Sequence, residues 1–198
     1  SGCAHNTTAD GFRINDEGAI VTPVPARAAG QTDVLGLTVP PMGVVRVGFV
    51  GLGMRGSGAV VRYTYVPGVR ITAICDVETD RVKASQKDLE ARGFPAAAEY
   101  GGSLDAYKQL CEDPDVDLVY ICTDWEHHVP VALYAMEHGK HVAIEVPSAY
   151  SLEDCWALVD MAEKTRLHCM ILENCCYDFF ELSTLQMAKE GLFGEVVH

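Results

Sequence analysis

The sequence lacks the features that indicate a membrane-spanning or nucleic-acid-binding protein. No apolar run reaches the roughly 18–20 residues that are needed to span a bilayer. Positive charge is scarce, since 15 lysines and arginines stand against 28 aspartates and glutamates, and the net charge is −13. A chain this acidic is repelled by nucleic-acid phosphates and by anionic lipid surfaces. We therefore expect no membrane span and no nucleic-acid partner.

The eight cysteines include no pair of matching CxxC motifs, which argues against a structural zinc site. Cys75 and Cys122 end apolar strand-like runs, Cys169 lies in another, and Cys175 and Cys176 are adjacent. Buried free thiols explain these positions better than a disulfide framework does. We predict free, buried cysteines and no metal site.

Apolar residues make up 48% of the 198 residues, which is enough for a sizeable core. Residues 1–43 are rich in Gly, Ala, Pro and Thr and have weak periodicity, so they predict a leader or N-terminal arm. The start, Ser1-Gly2-Cys3, is similar to the end of a bacterial lipoprotein cleavage site. That similarity would place the protein in the cell envelope or periplasm, whereas a chance match or a cloning remnant would leave it cytoplasmic.

From Val44 onward, runs that are apolar on both faces alternate with amphipathic segments. The predicted strands are Val44–Gly53, Val69–Asp76, Val116–Thr123, His141–Val146 and Leu167–Asn174. The predicted helices are Arg55–Val66, Thr79–Arg92, Ser103–Asp113, His127–Gly139, Ser151–Thr165 and Tyr177–Gly191, with N-caps at Ser103 and Ser151 and a capping box from Ser151 to Asp154. This alternation predicts an α/β fold in which helices cover both faces of a doubly wound parallel sheet.

A glycine-rich motif follows the first of these strands and opens the first helix. Its glycines are Gly51, Gly53 and Gly56, in the spacing G-x-G-x-x-G. They permit a tight turn, a close approach of pyrophosphate to the backbone, and packing of the helix on the strand. Asp76 ends the second strand, where an acid binds the adenosine ribose. The alternative is a plain glycine turn with a surface aspartate. The full context of strand, turn, helix, strand and acid predicts a Rossmann dinucleotide site. The charge of Asp76 would repel a 2′-phosphate and so favours NAD over NADP, and the nearby Arg81 makes this preference moderate.

Further polar or aromatic residues stand at the ends of three later strands. They are Thr123, Trp125 and His128 after one strand, Glu145 and Val146 after the next, and Glu173 and Asn174 after the third. Taken singly, each has a structural alternative such as packing, a helix N-terminus or a turn. Together they fall on the edge of the sheet that carries the glycine loop, which predicts one shared cofactor site. We expect Glu145 to face the nicotinamide ribose, whose hydroxyl donors would make a carboxylate tolerable there.

The segments GFVGLGMRGSG, ICD, CTDWEHH, GKHVAIEVP and ILENCCY, in this order and spacing, resemble the Gfo/Idh/MocA oxidoreductase family. Dehydrogenases of that family usually have Glu-Lys-Pro where this chain has Glu145-Val146-Pro147, and their lysine handles the proton of the substrate hydroxyl. Four features together resemble glycoside hydrolase family 109, whose enzymes are NAD-dependent and are typified by α-N-acetylgalactosaminidases. They are the valine, Met54-Arg55 in the glycine loop, the Trp125-x-x-His128 spacing and the string from Glu173 to Tyr177. That resemblance implies NAD contacts at Met54, Arg55, Asp76, Trp125 to His128, Glu145, Val146 and Asn174.

The resemblance also implies a mechanism. NAD⁺ takes a hydride from carbon 3 of the sugar, the ketone acidifies the proton on carbon 2, the glycosidic group is eliminated, water adds, and the hydride returns. Tyr177 is a candidate substrate-side hydroxyl, with a buried structural tyrosine as the alternative. The chain departs from the family pattern at two places, so the resemblance does not identify the sugar. Asp124 stands where the family often has proline, and Asp178-Phe179-Phe180 stands where the hydrolases tend to have Gly-Arg and a polar residue.

The expected organisation is an arm at 1–43, a Rossmann dinucleotide-binding domain at 44–174, and a linker helix at 175–198 that starts a substrate domain. In this family the substrate domain is a large, mostly antiparallel α/β region, and it would be largely missing here. The expected partner is a small-molecule sugar or glycoside, and the full-length protein is expected to be a homo-oligomer. A sugar or polyol dehydrogenase and a non-catalytic NAD-binding module remain the alternatives to a glycosidase.

Overall fold

The computed structural model describes residues 13–15, 18, 20–21 and 24–196. The chain divides into two compact units, Ser1–Thr32 and Asp33–His198. The described part of the first unit is a short antiparallel pair, β1 (Arg13–Ile14) with β2 (Ile20–Val21). The lipoprotein-like Ser1-Gly2-Cys3 lies outside the described residues, so an envelope location stays a prediction. The boundary expected at residue 43 also stays a prediction.

The second unit is built on one six-stranded sheet whose pairings are all parallel. Its strands are β3 (Val45–Val50), β4 (Val69–Asp76), β5 (Ala98–Gly101), β6 (Leu118–Ile121), β7 (His141–Ile144) and β8 (Cys169–Ile171). The spatial order is β5-β4-β3-β6-β7-β8. The direction of winding therefore reverses between β3 and β6, and the carboxyl ends of these two strands border the crevice in which doubly wound sheets bind ligands.

Helices cover both faces of this sheet. They are α1 (Met54–Tyr63), α2 (Thr79–Ala91), α3 (Ala106–Glu112), α4 (Trp125–Glu137), α5 (Leu152–Thr165) and α6 (Phe179–Lys189), with a 3-10 helix at Asn174–Tyr177. Apolar side chains of α1 and α2 form one core with the sheet, and those of α3, α4 and α5 form a second core on the other face. The predicted doubly wound α/β fold is confirmed.

Several predicted boundaries differ from those in the structure, for local reasons. The helix predicted from Ser103 begins at Ala106, with Asp105 and not Ser103 as its N-cap residue. The helix predicted from His127 begins at Trp125, because the Asp124 carboxylate accepts bonds from the amides of the first turn. At α5 the N-cap predicted at Ser151 is confirmed, since the amide of Asp154 donates to the Ser151 hydroxyl over 3.0 Å. The return bond of the capping box, from the Ser151 amide to the Asp154 carboxylate, stays a prediction.

The sequence prediction missed β5, and it merged two segments at the C-terminal end. The helix expected over Tyr177–Gly191 is the 3-10 helix followed by α6, and no residue of α6 is buried. The seven described cysteines are free, as predicted, but burial was predicted too broadly, because Cys155, Cys175 and Cys176 are exposed. Among the described residues no helix is both long and apolar enough to cross a membrane, and no group of three potential metal ligands lies together.

Candidate nucleotide site

The glycine loop is a close crossing of three backbone segments. Gly51 has a φ of +91°, and a Cβ on it would lie 2.4 Å from the carbonyl oxygen of Cys122 at the end of β6. A Cβ on Gly56 would lie 1.9 Å from the carbonyl oxygen of Gly51. A side chain therefore fits at neither position. These contacts bring α1 directly against the switch point between β3 and β6.

The N-terminus of α1 is open for an anion. Its N-cap residue is Gly53, and no side chain caps it. A Cβ on Gly53 would meet no atom within 4 Å, so the backbone borders free space there. The amides of the first turn, at Met54 and Arg55, belong to a helix terminus that favours negative charge. This cradle fits the pyrophosphate of a dinucleotide.

Asp76 ends β4 beside the glycine loop and is buried. The amide of Leu52 donates to its Oδ2 over 2.6 Å, and the amide of Glu78 donates to its Oδ1 over 2.8 Å. Arg81 places a guanidinium nitrogen 3.6 Å from Oδ1. Each carboxylate oxygen keeps a second lone pair for a ribose hydroxyl. The backbone bonds thus fix the carboxylate at the position where the sequence predicts adenosine binding.

A cleft of about 330 Å³ joins these elements. It is lined by residues of the glycine loop, the end of β4, the start of α3 and the loop after β6, among them Gly51, Gly53, Asp76, Leu104, Thr123 and His127. Its walls are more apolar than polar, as expected for a site that holds a base and a ribose. His127 lies within the implied contacts Trp125 to His128, whereas Leu104 is a residue of this cleft that the sequence prediction did not single out.

The loop after β6 places its predicted residues at different depths. Trp125 is the first residue of α4 and is largely exposed. The Thr123 hydroxyl bonds the Asp124 carbonyl over 3.1 Å. His128 is only 1% exposed, with Nδ1 2.7 Å from the Pro147 carbonyl and Nε2 3.1 Å from the Thr123 carbonyl. The buried ring of His128 therefore lies between the carbonyl groups that follow β6 and β7, and in its neutral form it donates to one of them.

Glu145 follows β7 and is only 7% exposed. The Nε of Arg55 donates to its Oε1 over 2.8 Å, and the hydroxyl of Tyr120 donates to the same oxygen over 2.5 Å. Burial pushes the pKa of Glu145 upward, but the bonds from Arg55 and Tyr120 outweigh it, and the pKa lies below its ordinary value. The donors that make this carboxylate tolerable thus come from the protein, where we expected ribose hydroxyls to supply them.

Tyr120 is the residue at this edge that the sequence prediction missed. It lies inside β6, in a run that the sequence analysis interpreted as a strand that is apolar on both faces. A buried tyrosine hydroxyl usually has a partner, and that rule was the available signal. The identity of the partner depended on the pairing of β6 with β7.

Arg55 links the third strand end to this network. Its NH2 group lies 3.4 Å from the Asn174 side-chain oxygen, at the start of the 3-10 helix. Val146 is 45% exposed beside Glu145, and Tyr177 is 63% exposed at the end of the 3-10 helix. The structure thus brings Arg55, Glu145 and Asn174 into contact, while Tyr177 has no hydrogen bond that ties it to them within the described residues.

Comparisons with known proteins give close relatives in sequence. A protein named glycosyl hydrolase family 109 protein 1 from Bacteroides fragilis is 64% identical over 179 residues, which cover 90% of this chain and 39% of that protein. A protein named glycosyl hydrolase family 109 protein from Porphyromonas gingivalis is 55% identical over 93% of this chain and 40% of its own length. The chain therefore spans about two fifths of the length of these relatives.

Solved structures share the fold at lower identity. The WlbA dehydrogenase from Chromobacterium violaceum, solved with NADH and UDP-GlcNAcA, has a TM-score of 0.68 and 22% identity over 80% of this chain and 44% of its own. Scyllo-inositol dehydrogenase from Lactobacillus casei, solved with NAD(H) and scyllo-inositol, has a TM-score of 0.66 and 19% identity over 77% of this chain and 43% of its own. The model of the oxidoreductase family with an NAD-binding Rossmann fold matches residues 45–172. This chain accordingly belongs to the Gfo/Idh/MocA oxidoreductase family and contains its NAD-binding Rossmann fold.

Proposed function

We propose that the whole protein is an NAD-dependent glycosidase that acts on a small sugar or glycoside by transient oxidation, elimination, hydration and re-reduction. The observation that carries the proposal is Val146, which is half exposed directly after the anchored Glu145 and cannot move a proton. Oxidation of a hydroxyl releases a proton in either reaction, so a group other than Val146 must accept it. What favours the glycosidase is that a valine stands at this position and not the lysine that is usual in dehydrogenases of the family. The names of the relatives at 55–64% identity support the same choice.

The described residues fit the cofactor at three points. The uncapped N-terminus of α1 and the free space beside Gly53 suit the pyrophosphate. Asp76 suits the adenosine ribose, and Glu145 suits the nicotinamide ribose. When bound, NAD would accept a hydride from the sugar and return it at the end of the cycle.

Glu145 serves in this proposal as a fixed acceptor and not as a base. Its carboxylate is held ionised by Arg55 and Tyr120, so it has little tendency to take a proton near neutral pH. We assign the exposed Tyr177 hydroxyl to the substrate side, as a hydrogen-bonding group near the sugar. Because elimination follows oxidation, the mechanism needs no pair of carboxylates at the spacing of ordinary glycosidases.

The test uses the whole protein, NAD⁺, a panel of nitrophenyl glycosides and heavy water. Nitrophenol release, absorbance of NADH and deuterium at carbon 2 are followed together. The expected result is release with deuterium incorporated and no net NADH. A protein sample stripped of NAD is the matched control, and it should release nitrophenol only after NAD⁺ is restored.

The other outcomes separate the alternatives. Net NADH without release would identify a sugar or polyol dehydrogenase, which would then need a proton-handling group other than Val146. NAD binding without nitrophenol release, NADH formation or deuterium incorporation would favour a non-catalytic NAD-binding module. Release that persists without NAD would contradict the proposed mechanism.

A further inference from the structure

Tyr120 is a rigid residue with one polar atom beside the predicted site. It is 4% exposed, on the central strand β6. Its ring stacks on Phe49 with centroids 5.0 Å apart, and the edge-to-face ring of Tyr63 lies 5.4 Å away. A ring packed in this way has one accessible orientation. Its hydroxyl therefore has a fixed position.

That hydroxyl and Arg55 converge on a single oxygen of Glu145. The distances to Oε1 are 2.5 Å from Tyr120 and 2.8 Å from Arg55. A carboxylate has about four lone-pair sites on two oxygens. With both side-chain donors on Oε1, the second oxygen, Oε2, keeps acceptor capacity for a ligand. Two donors from different elements also prevent the carboxylate from rotating.

The two donors are not equivalent. The side chain of Arg55 is 49% exposed and also donates to Asn174, so it is less closely packed than the ring of Tyr120. Tyr120 is fixed in the core and donates only to Glu145. Although each residue donates one bond to Glu145, the orientation of its carboxylate therefore depends more on Tyr120 than on Arg55.

We propose that Tyr120 is a positioning residue for NAD, which acts by holding the Glu145 carboxylate ready for a hydroxyl of the nicotinamide ribose. This inference rests on the proposed function, in which Glu145 binds that ribose. It predicts that the hydroxyl of Tyr120 affects binding of the nicotinamide half of the cofactor. Binding of the adenosine half should be insensitive to it, because Asp76 and the cleft are fixed by other bonds.

The test is a calorimetric titration of the 198-residue chain with NAD⁺ and, separately, with ADP, which lacks the nicotinamide ribose. Tyr120→Phe keeps the packed ring and removes the donor. We expect its NAD⁺ affinity to fall about tenfold, as for the loss of a hydrogen bond to a charged group, with ADP affinity within about twofold of the unsubstituted chain. A defect that was only structural would weaken both ligands.

Two further variants sharpen the test. Tyr63→Phe is the matched control, because Tyr63 belongs to the same aromatic cluster but its hydroxyl makes no bond to Glu145 in the described part of the chain. It should leave both affinities unchanged. In a Glu145→Ala background, Tyr120→Phe should change NAD⁺ affinity by less than about twofold, since a positioning residue has no effect without the group it positions.

The outcomes for the inference and for the proposed function are distinct. If the unsubstituted chain binds NAD⁺ and Tyr120→Phe binds it equally well, Tyr120 has no positioning role and the proposed function stands. Equal losses for NAD⁺ and ADP would also overturn the role. If the unsubstituted chain binds ADP but not NAD⁺, Glu145 does not bind the nicotinamide ribose in this chain and the inference fails, whereas the proposed function of the whole protein is refuted only by nitrophenol release that persists without NAD.

Discussion

Two substitutions in the glycine loop, Gly56→Ala and Gly53→Ala, should distinguish an effect on the free energy of unfolding from an effect on cofactor binding. In Gly56→Ala the new Cβ would lie 1.9 Å from the Gly51 carbonyl oxygen, so α1 has to retreat by about 1 Å from the end of β3. Forced shifts of this kind destabilise a packed core by about 1–3 kcal/mol. In Gly53→Ala the Cβ meets nothing within 4 Å. That substitution should change the free energy of unfolding by less than about 1 kcal/mol, mainly through the weaker N-cap.

Both variants should lose NAD⁺ binding, but for different reasons. Alanine at position 56 displaces the helix N-terminus, whereas alanine at position 53 fills the space where the pyrophosphate would approach. Urea unfolding followed by circular dichroism gives the stabilities, and calorimetric titration gives the affinities. An unchanged unfolding midpoint for Gly56→Ala would refute the close-approach argument. Normal NAD⁺ affinity for Gly53→Ala would refute the assignment of that space to the cofactor.

Two other predictions concern the far edge of the sheet and the choice of cofactor. Burial and the neighbouring His168 lower the pKa of His141 below 6.5, and Asp117 opposes this only in part. The amide of His168 donates to Nδ1 of His141 over 3.0 Å, and this bond requires a free lone pair on Nδ1. Because the pKa of His141 is lower in the folded than in the unfolded chain, its contribution to stability should be full above about pH 6.5 and should fall as the pH drops toward the folded pKa. Urea midpoints from pH 8 to 5 should show this loss in the unsubstituted chain but not in His141→Asn, whose side-chain oxygen can accept the same bond. The Asp76 carboxylate should make NADP bind more weakly than NAD, and Arg81→Ala should widen that ratio in paired titrations, whereas an unchanged ratio would mean that Arg81 does not moderate the preference.

Local patterns were sufficient to predict five of the six strands of the sheet and the tight glycine loop between β3 and α1. The run that ends at Asp76 has the bounds in the structure that the sequence gives it, because an apolar stretch closed by a polar residue leaves little choice. Ser151 caps α5 as predicted, since the amide that it satisfies lies only three residues away. The glycine spacing predicted a loop whose tightness the backbone contacts then display.

The prediction failed where the signal was weak or distant. Strand β5 pairs with β4 at the edge of the sheet, and most of its side chains are exposed, so the segment has no apolar run to reveal it. The helix at Trp125 was placed two residues late because Asp124 was treated as a departure from a family pattern and not as an N-cap. The contact between Tyr120 and Glu145 joins residues 25 positions apart, and no local rule links them.

The position of Glu145 explains how this edge of the sheet can be ready for a ligand before a ligand arrives. A carboxylate at the end of a buried strand is unfavourable unless it is hydrogen-bonded. Here Arg55 and Tyr120 satisfy it within the protein, so the desolvation of Glu145 is offset during folding and not during binding. A ligand that meets a carboxylate already desolvated and oriented loses less free energy on binding than one that must order it. The same two residues that make Glu145 a fixed acceptor thus also make it a poor base, which is why the proposed chemistry assigns proton transfer to groups other than Glu145.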